Sequence, residues 1–353
     1  MRARLTVDLD AIAANWRALA ALAPSAEAGA VVKADGYGLG AAKVGPALAA
    51  AGVKSFFVAL VEEGVALRAA LGPAPRIFVF GGMAAADGAL IRAANLIPLL
   101  NSPGQLADAK ALAATAGEAL TVGLQLDSGM NRLGFEPAEL RAALDDPQAL
   151  DGLRLALVMS HLACADEPEH PQNAQQLAAF REMTAHPALA GVPRSLSATG
   201  GALLGKDYAF DLVRPGIGLY GGLPFAAGRP VVTLEAPIIQ VRDVAPGESV
   251  GYGAAYRADR PRKIATVSLG YADGFHRALS RGYAARLGGR ALPSAGRVSM
   301  DLVTLDVTEA PEACAGAFVA LLDAEQGVDA LAEIAGTIGY EILTSLGARY
   351  ERR

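Results

Sequence analysis

Along the first two-thirds of the chain, short apolar runs alternate with alanine-rich stretches of helical spacing, a beat that predicts a parallel sheet covered by helices. Eight runs have the length and composition of strands: 30–33, 56–60, 76–80, 96–100, 120–126, 154–160, 194–198 and 211–216. Before and between them apolar residues return on one helical face, as at Ile12, Trp16 and Leu19. Eight strands separated by helices is the count of a (β/α)8 TIM barrel. An open doubly wound sheet uses similar patterns, but its first strand is usually followed by a G-x-G-x-x-G turn, and "GYGLG" at 36–40 lacks that spacing. A barrel is therefore expected over residues 8–228.

Past residue 228 the texture changes. From "RPVVTLEAPIIQVRDVAPGESVGYGAAY" onward, β-branched residues alternate with turn dipeptides such as Pro246-Gly247 and Gly288-Gly289, and no long helical pattern returns before Val328. A separate β-rich domain is expected over 229–353. No fixed-period repeat and no low-complexity linker interrupts the chain.

Composition narrows the function classes. With 353 residues, 52% hydrophobic and 19% charged, the chain has apolar material for two cores. Its net charge is −5 and no dense Lys/Arg run occurs, so neither nucleic acid nor a membrane is an expected partner. "MRARLTVDLD" is followed by no apolar signal region, and no hydrophobic span is long enough for a bilayer; a cytoplasmic location is expected. Cys164 and Cys314 stand far apart in unrelated contexts, which argues against a disulfide framework or a thiolate metal site. No metal is expected.

In a barrel, residues just after the strands face the active-site mouth. Those positions hold Lys33 in "AVVKADGYGLG", Arg132 after "LQLDSGMN", His161 after "LALVMS", Thr199 in "SLSATGG" and Arg214 in "LVRPGIGLYG". Taken singly, Lys33 reads as a strand-end lysine reaching water, His161 as a satisfied core imidazole, Arg132 as a partner of Asp127, and the glycine stretches as ordinary turns. Convergence at one barrel end favours a common pocket. An amine able to form a Schiff base and glycine-loop N–H groups suited to a phosphate are the two partners that pyridoxal phosphate requires. Its pyridine nitrogen needs an Asp or Arg, and its ring face suits an imidazole.

In order along nearly the whole chain, "VVKADGYGLG", "LDSGMNRLGF", "MSHLACAD", "LVRPGIGLYG", "VGYGAAY", "SLGYADG" and "AGRVSMD" resemble the motifs of bacterial alanine racemases. The resemblance implies a pyridoxal-phosphate barrel followed by a β domain that residues 1–7 join. It also implies a head-to-tail homodimer with shared active sites, racemising alanine by two bases and supplying D-alanine for peptidoglycan. Carried over by motif, Lys33 bears the cofactor, Tyr37, Thr199, Gly216 and Ile217 bind its phosphate, Arg214 faces the pyridine nitrogen and His161 lies against the ring. Arg132 would touch the cofactor's phenolic oxygen or the substrate carboxylate. From the β domain, Tyr252 would be the second base, Met300 and Asp301 would line the substrate side, and Tyr271 would narrow the entrance.

Two positions depart from that pattern. Many members of the family have a carbamylated lysine where this chain has Gln125, whose oxygen is available to accept from Arg132, unless a chloride takes the site. Near the C-terminus Ala348 stands where some members supply a phosphate-binding tyrosine, with Tyr350 two residues on. Alternatives are a racemase of broader specificity, serine included, since one methylene gives only about 1–3 kcal/mol of discrimination; a related barrel decarboxylase, disfavoured by Arg214; and a non-enzymatic pyridoxal-phosphate barrel, which would have no use for a β domain.

Overall fold

The computed structural model describes residues 2–353. The chain forms two compact units, one of residues 12–219 and 224–228, the other of the N-terminal stretch ending at Ala11 with Tyr220–Leu223 and Arg229–Arg353.

In the first unit seven strands pair in parallel in chain order: Ala30–Val31, Ser55–Val58, Arg76–Val79, Ile97–Leu100, Leu120–Gln125, Leu153–Met159 and Arg194–Ser195. The eighth, Leu212–Val213, closes the ring. It pairs in parallel with Glu27–Ala28, Ala198 bridges Arg214 in parallel, and the N–H groups of Gly29 and Val31 donate to the carbonyls of Val213 and Pro215 at 2.9 Å. The eight apolar runs thus build a closed (β/α)8 barrel. The strands at the closure are shorter than their apolar runs. The first ends at Val31, two residues before Lys33, because the backbone turns left-handed from Ala34.

Local chemistry explains the helices between the strands. Pro103–Ala116 starts where Ser102 accepts the Gln105 N–H at 3.3 Å, with Pro103 in the first turn whose N–H groups need no partner. It buries Leu106, Ala109 and Ala113 and stops at Gly117 in the left-handed conformation. Inside the barrel wall Phe57 stacks on Phe78 with centroids 4.8 Å apart. A Cβ on Gly29 would meet the Phe57 ring at 2.9 Å, so glycine is required there.

The second unit is mainly β. Its spine is the 13-residue strand Val232–Val244, which pairs antiparallel with Arg4–Val7, Phe318–Leu322 and Arg262–Val267. Arg4–Val7 also pairs in parallel with Glu351–Arg352, so both ends of the chain lie in one sheet. Gly288-Gly289, at φ 56° and 84°, turns the hairpin Ala284–Leu287/Arg290–Pro293, the geometry that a two-residue loop between twisted strands demands. Among the described residues no helix is long and apolar enough to cross a membrane.

Candidate active site

Lys33 stands half-buried just beyond its strand, with Nζ 5.8 Å from the centroid of the Phe80 ring. Burial and then the Arg132 charge lower its amine below the usual lysine range, against an opposing pull from Glu63. The next four residues, Ala34, Asp35, Gly36 and Tyr37, have φ of 53°, 53°, 63° and 56°. A left-handed turn costs roughly 1–2 kcal/mol per residue that carries a Cβ, a strain retained where geometry serves function.

That turn delivers Tyr37 to the loop after the eighth strand. A Cβ on Gly216 would run into the Tyr37 hydroxyl, so the absent side chain leaves the hydroxyl its place. Thr199 Oγ1 accepts the N–H groups of Gly216 at 3.0 Å and Gly218 at 3.3 Å, and Ile217 opens the short helical turn Ile217–Tyr220. Two hydroxyls and the Ile217 N–H in one corner suit an anion.

Arg214 is fully buried. Its Nη1 donates to Ser195 Oγ and its Nη2 to the carbonyls of Ser160 at 2.7 Å and Leu196 at 3.3 Å, while Nε–H makes no hydrogen bond among the described residues. Burial pushes the guanidinium down to about 9, which leaves it cationic at neutral pH. His161 is driven down to about 3 by burial first, then by Arg214, Arg132 and Lys33, so its ring is neutral. Beneath them runs a polar network. Gln176 Nε2 donates to the His161 carbonyl at 2.9 Å and to Ser128 Oγ at 3.4 Å, Ser128 and Ser160 hydroxyls meet at 2.7 Å, and Ser160 Oγ donates to the Leu126 carbonyl.

Arg132 is exposed, and its guanidinium makes no hydrogen bond or ion pair among the described residues. The Asp127 carboxylate instead accepts the backbone N–H groups of Gly129, Met130, Asn131 and Arg132, which shapes the loop without engaging the Arg132 guanidinium. Gln125 likewise does not hold Arg132. Its amide donates to the Leu133 carbonyl at 3.2 Å.

In the second unit Tyr252 lies on a short turn between two left-handed glycines and is 72% exposed. A Cβ on Gly253 would stand 3.1 Å from the Arg297 guanidinium, so the turn sits close on the segment leading to Met300 and Asp301. Ser299 and Met300 carbonyls accept the N–H groups of Tyr271 and Ala272, at 3.1 and 2.9 Å. Arg349 ties the two loops together, reaching Asp273 at 3.1 Å and Asp301 at 2.8 Å. Tyr252, Tyr271 and Met300 are therefore exposed apolar side chains on adjoining loops. Tyr350 is buried and donates its hydroxyl to the Asp273 carbonyl at 2.5 Å, which engages the proton a phosphate would want.

The structure thus brings Lys33, Tyr37, Arg132, His161, Thr199, Arg214, Gly216 and Ile217 to one barrel end, and Tyr252, Tyr271, Met300 and Asp301 to one set of loops in the other unit. The barrel residues fit pyridoxal phosphate: a depressed lysine amine for its aldehyde, a donor corner for its phosphate, a neutral ring for its face and a disengaged Nε–H for its nitrogen. Glu63, Ser160, Gln176 and Ser195 escaped the sequence reading. Glu63 offers only a helix-capping signal, and the others are polar residues among apolar runs whose partners are remote in sequence.

Residues 7–224 match the family profile of the alanine racemase N-terminal domain and residues 231–353 that of the C-terminal domain. The chain is 56% identical to an alanine racemase of Jannaschia sp. (strain CCS1), over 99% of this chain and 97% of that protein. It is 47% identical to a catabolic alanine racemase of Agrobacterium fabrum, over 99% and 91%. Its fold superposes at a TM-score of 0.93 on the Bartonella henselae alanine racemase with covalently bound pyridoxal phosphate, at 37% identity and covering 100% and 99% of the two chains. With the biosynthetic alanine racemase of Pseudomonas aeruginosa the TM-score is 0.91 and the identity 41%, over 100% and 99%.

Proposed function

The chain belongs to the alanine racemase family, and on that premise we propose that Lys33 and Tyr252 are the two bases of its reaction. The protein is a pyridoxal-phosphate-dependent isomerase that interconverts L- and D-alanine. When bound, pyridoxal phosphate would supply the electron-withdrawing group that acidifies the substrate Cα. Lys33 Nζ, which would hold the cofactor, would move a proton at Cα on one face. The Tyr252 oxygen does so on the other, and two bases on opposite faces invert the centre.

The remaining residues bind and orient. Tyr37, Thr199, Gly216 and Ile217 hold the phosphate, and His161, being neutral, lies against the ring without adding charge. Arg214 Nε–H donates to the ring nitrogen. Because a guanidinium that stays cationic does not give up its proton, that nitrogen remains unprotonated and draws little charge from Cα, which restrains transamination. Arg132, whose guanidinium has no partner among the described residues, takes the substrate carboxylate, with Met300 and Asp301 lining the substrate side and Tyr271 narrowing the entrance. The working form is a head-to-tail homodimer in which Tyr252 serves the partner's barrel; the exposed Tyr252, Tyr271 and Met300 support it. Supply of D-alanine for peptidoglycan in the cytoplasm is the setting this reading implies.

The observation that carries the assignment is the convergence of a depressed Lys33 amine, a neutral His161 and a buried Arg214 with an unengaged Nε–H. Borohydride should fix the cofactor to the tryptic peptide containing Lys33, and label on another lysine overturns the role. Lys33→Ala and Tyr252→Phe homodimers should each be nearly inactive, whereas the mixed dimer regains activity because one of its two sites is intact. A verified mixed dimer without recovered racemisation defeats the shared site.

A further inference from the structure

Three residues with a Cβ in the left-handed turn 34–37 persist only because their surroundings over-determine them. Most of the restraints are internal to the segment. Gly36 N–H donates to the Val32 carbonyl, Gly38 N–H to Ala34 and Gly40 N–H to Asp35, each at 2.8 Å, and Asp35 Oδ1 accepts the Ala41 N–H at 2.8 Å. A further restraint comes from outside. Glu63, in the first turn of the helix Val61–Leu71, accepts the Ala34 N–H through Oε1 at 2.7 Å, while Oε2 accepts the N–H groups of Ala59 at 2.8 Å and Leu60 at 3.4 Å.

The two oxygens do different things. The Oε2 bonds are ordinary capping, a third-position carboxylate returning to the N-terminus of its own helix. The Oε1 bond crosses 29 residues to fasten the residue next to Lys33 to the first turn of the helix after the neighbouring barrel strand. We propose that Glu63 is a positioning residue of the active site: through the Ala34 N–H it fixes how Lys33 leaves its strand, and its carboxylate supplies the anionic charge beside the cofactor lysine. Among the groups acting on Lys33, burial and Arg132 lower the amine and Glu63 raises it; His161 is neutral and Arg214 faces His161. The inference rests on Lys33 bearing the cofactor.

The experiment separates positioning from capping. Glu63→Ala removes all three Glu63 hydrogen bonds, and adding Leu60→Ser supplies a side-chain acceptor at the N-cap position, whose extended backbone suits it, without reaching Ala34. The double variant should regain wild-type thermal stability, yet its holoenzyme should lose cofactor on dialysis about tenfold or more faster than wild type, the factor expected for one charge-assisted hydrogen bond. Glu63→Gln keeps shape but not charge, so the pH at which the visible band of the lysine-linked cofactor titrates should move downward. Wild-type retention in the double variant, or an unmoved titration in Glu63→Gln, overturns the proposal. Should the alanine background fail to fold, the glutamine variant alone decides. Borohydride labelling of each holoenzyme keeps the premise separate, since label away from Lys33 strikes the cofactor assignment and label on Lys33 with unchanged retention strikes Glu63 alone.

Discussion

Replacing Gly216 by alanine sets one methyl group against the Tyr37 hydroxyl, with the Val31 Cβ 3.5 Å away on another side. The backbone of Gly216 has no left-handed φ, so the substitution is purely a question of space. Tyr37 is poorly placed to yield, because its own φ of 56° ties it to the braced turn behind Lys33. Overpacking of one methyl in such a setting costs about 1–3 kcal/mol. In a unit of roughly 200 residues each kcal/mol lowers the melting temperature by about 2–4 °C, so Gly216→Ala should unfold roughly 2–12 °C early. Adding Tyr37→Phe deletes the atom that is struck and should recover more than half of the loss. Cofactor retention should behave differently, falling in the single variant and staying low in the double, since the phosphate has then lost a hydroxyl. Thermal unfolding on apoprotein keeps ligand affinity out of the stability comparison, and dialysis of holoenzyme measures retention. A double variant as unstable as the single one refutes the steric argument.

Three further outcomes follow from the same geometry. His161 is depressed from 6.5 to about 3 in the fold, so the unfolded chain binds its proton more tightly; stability is whole above about pH 6.5 and is lost as pH falls toward 3, about 2 kcal/mol of it by pH 5. Urea midpoints at pH 5 and 7.5 should show that slope and show it flattened in His161→Gln. Arg214→Glu lets the ring nitrogen hold a proton, so racemisation should slow by on the order of 100-fold while transamination to the keto acid increases, and an unchanged rate and product ratio would reject the role of Arg214. Added bicarbonate should leave wild-type activity unchanged, because Gln125 forms no carbamate, whereas Gln125→Lys should acquire a bicarbonate dependence in steady-state assays.

Much of the fold was legible because it is encoded by near neighbours. Apolar runs located the eight strands in chain order, while Glu27–Ala28, which pairs with the eighth, fell outside them. The site was legible where barrel geometry did the work: Lys33, His161, Thr199 and Arg214 could be placed at one end because strand ends share a face. Details left open were those that depend on competition for partners. The Gln125 amide donates to the Leu133 carbonyl rather than accepting from Arg132, and Tyr350 gives its hydroxyl to Asp273.

By itself, then, the sequence determined the barrel, the β-rich unit and the residue types at the barrel mouth, since periodicity, turn chemistry and motif order are properties of the chain read in line. Tertiary structure alone decided the chemical state of those residues. His161 is neutral because it is buried among Arg214, Arg132 and Lys33, Arg214 keeps Nε–H disengaged while Ser160, Ser195 and Leu196 engage its Nη groups, and Ala34, next to Lys33, is held by a carboxylate 29 positions away. Desolvation and hydrogen-bond partnership are set by neighbours in space, and the spacing of residues along a chain does not carry them.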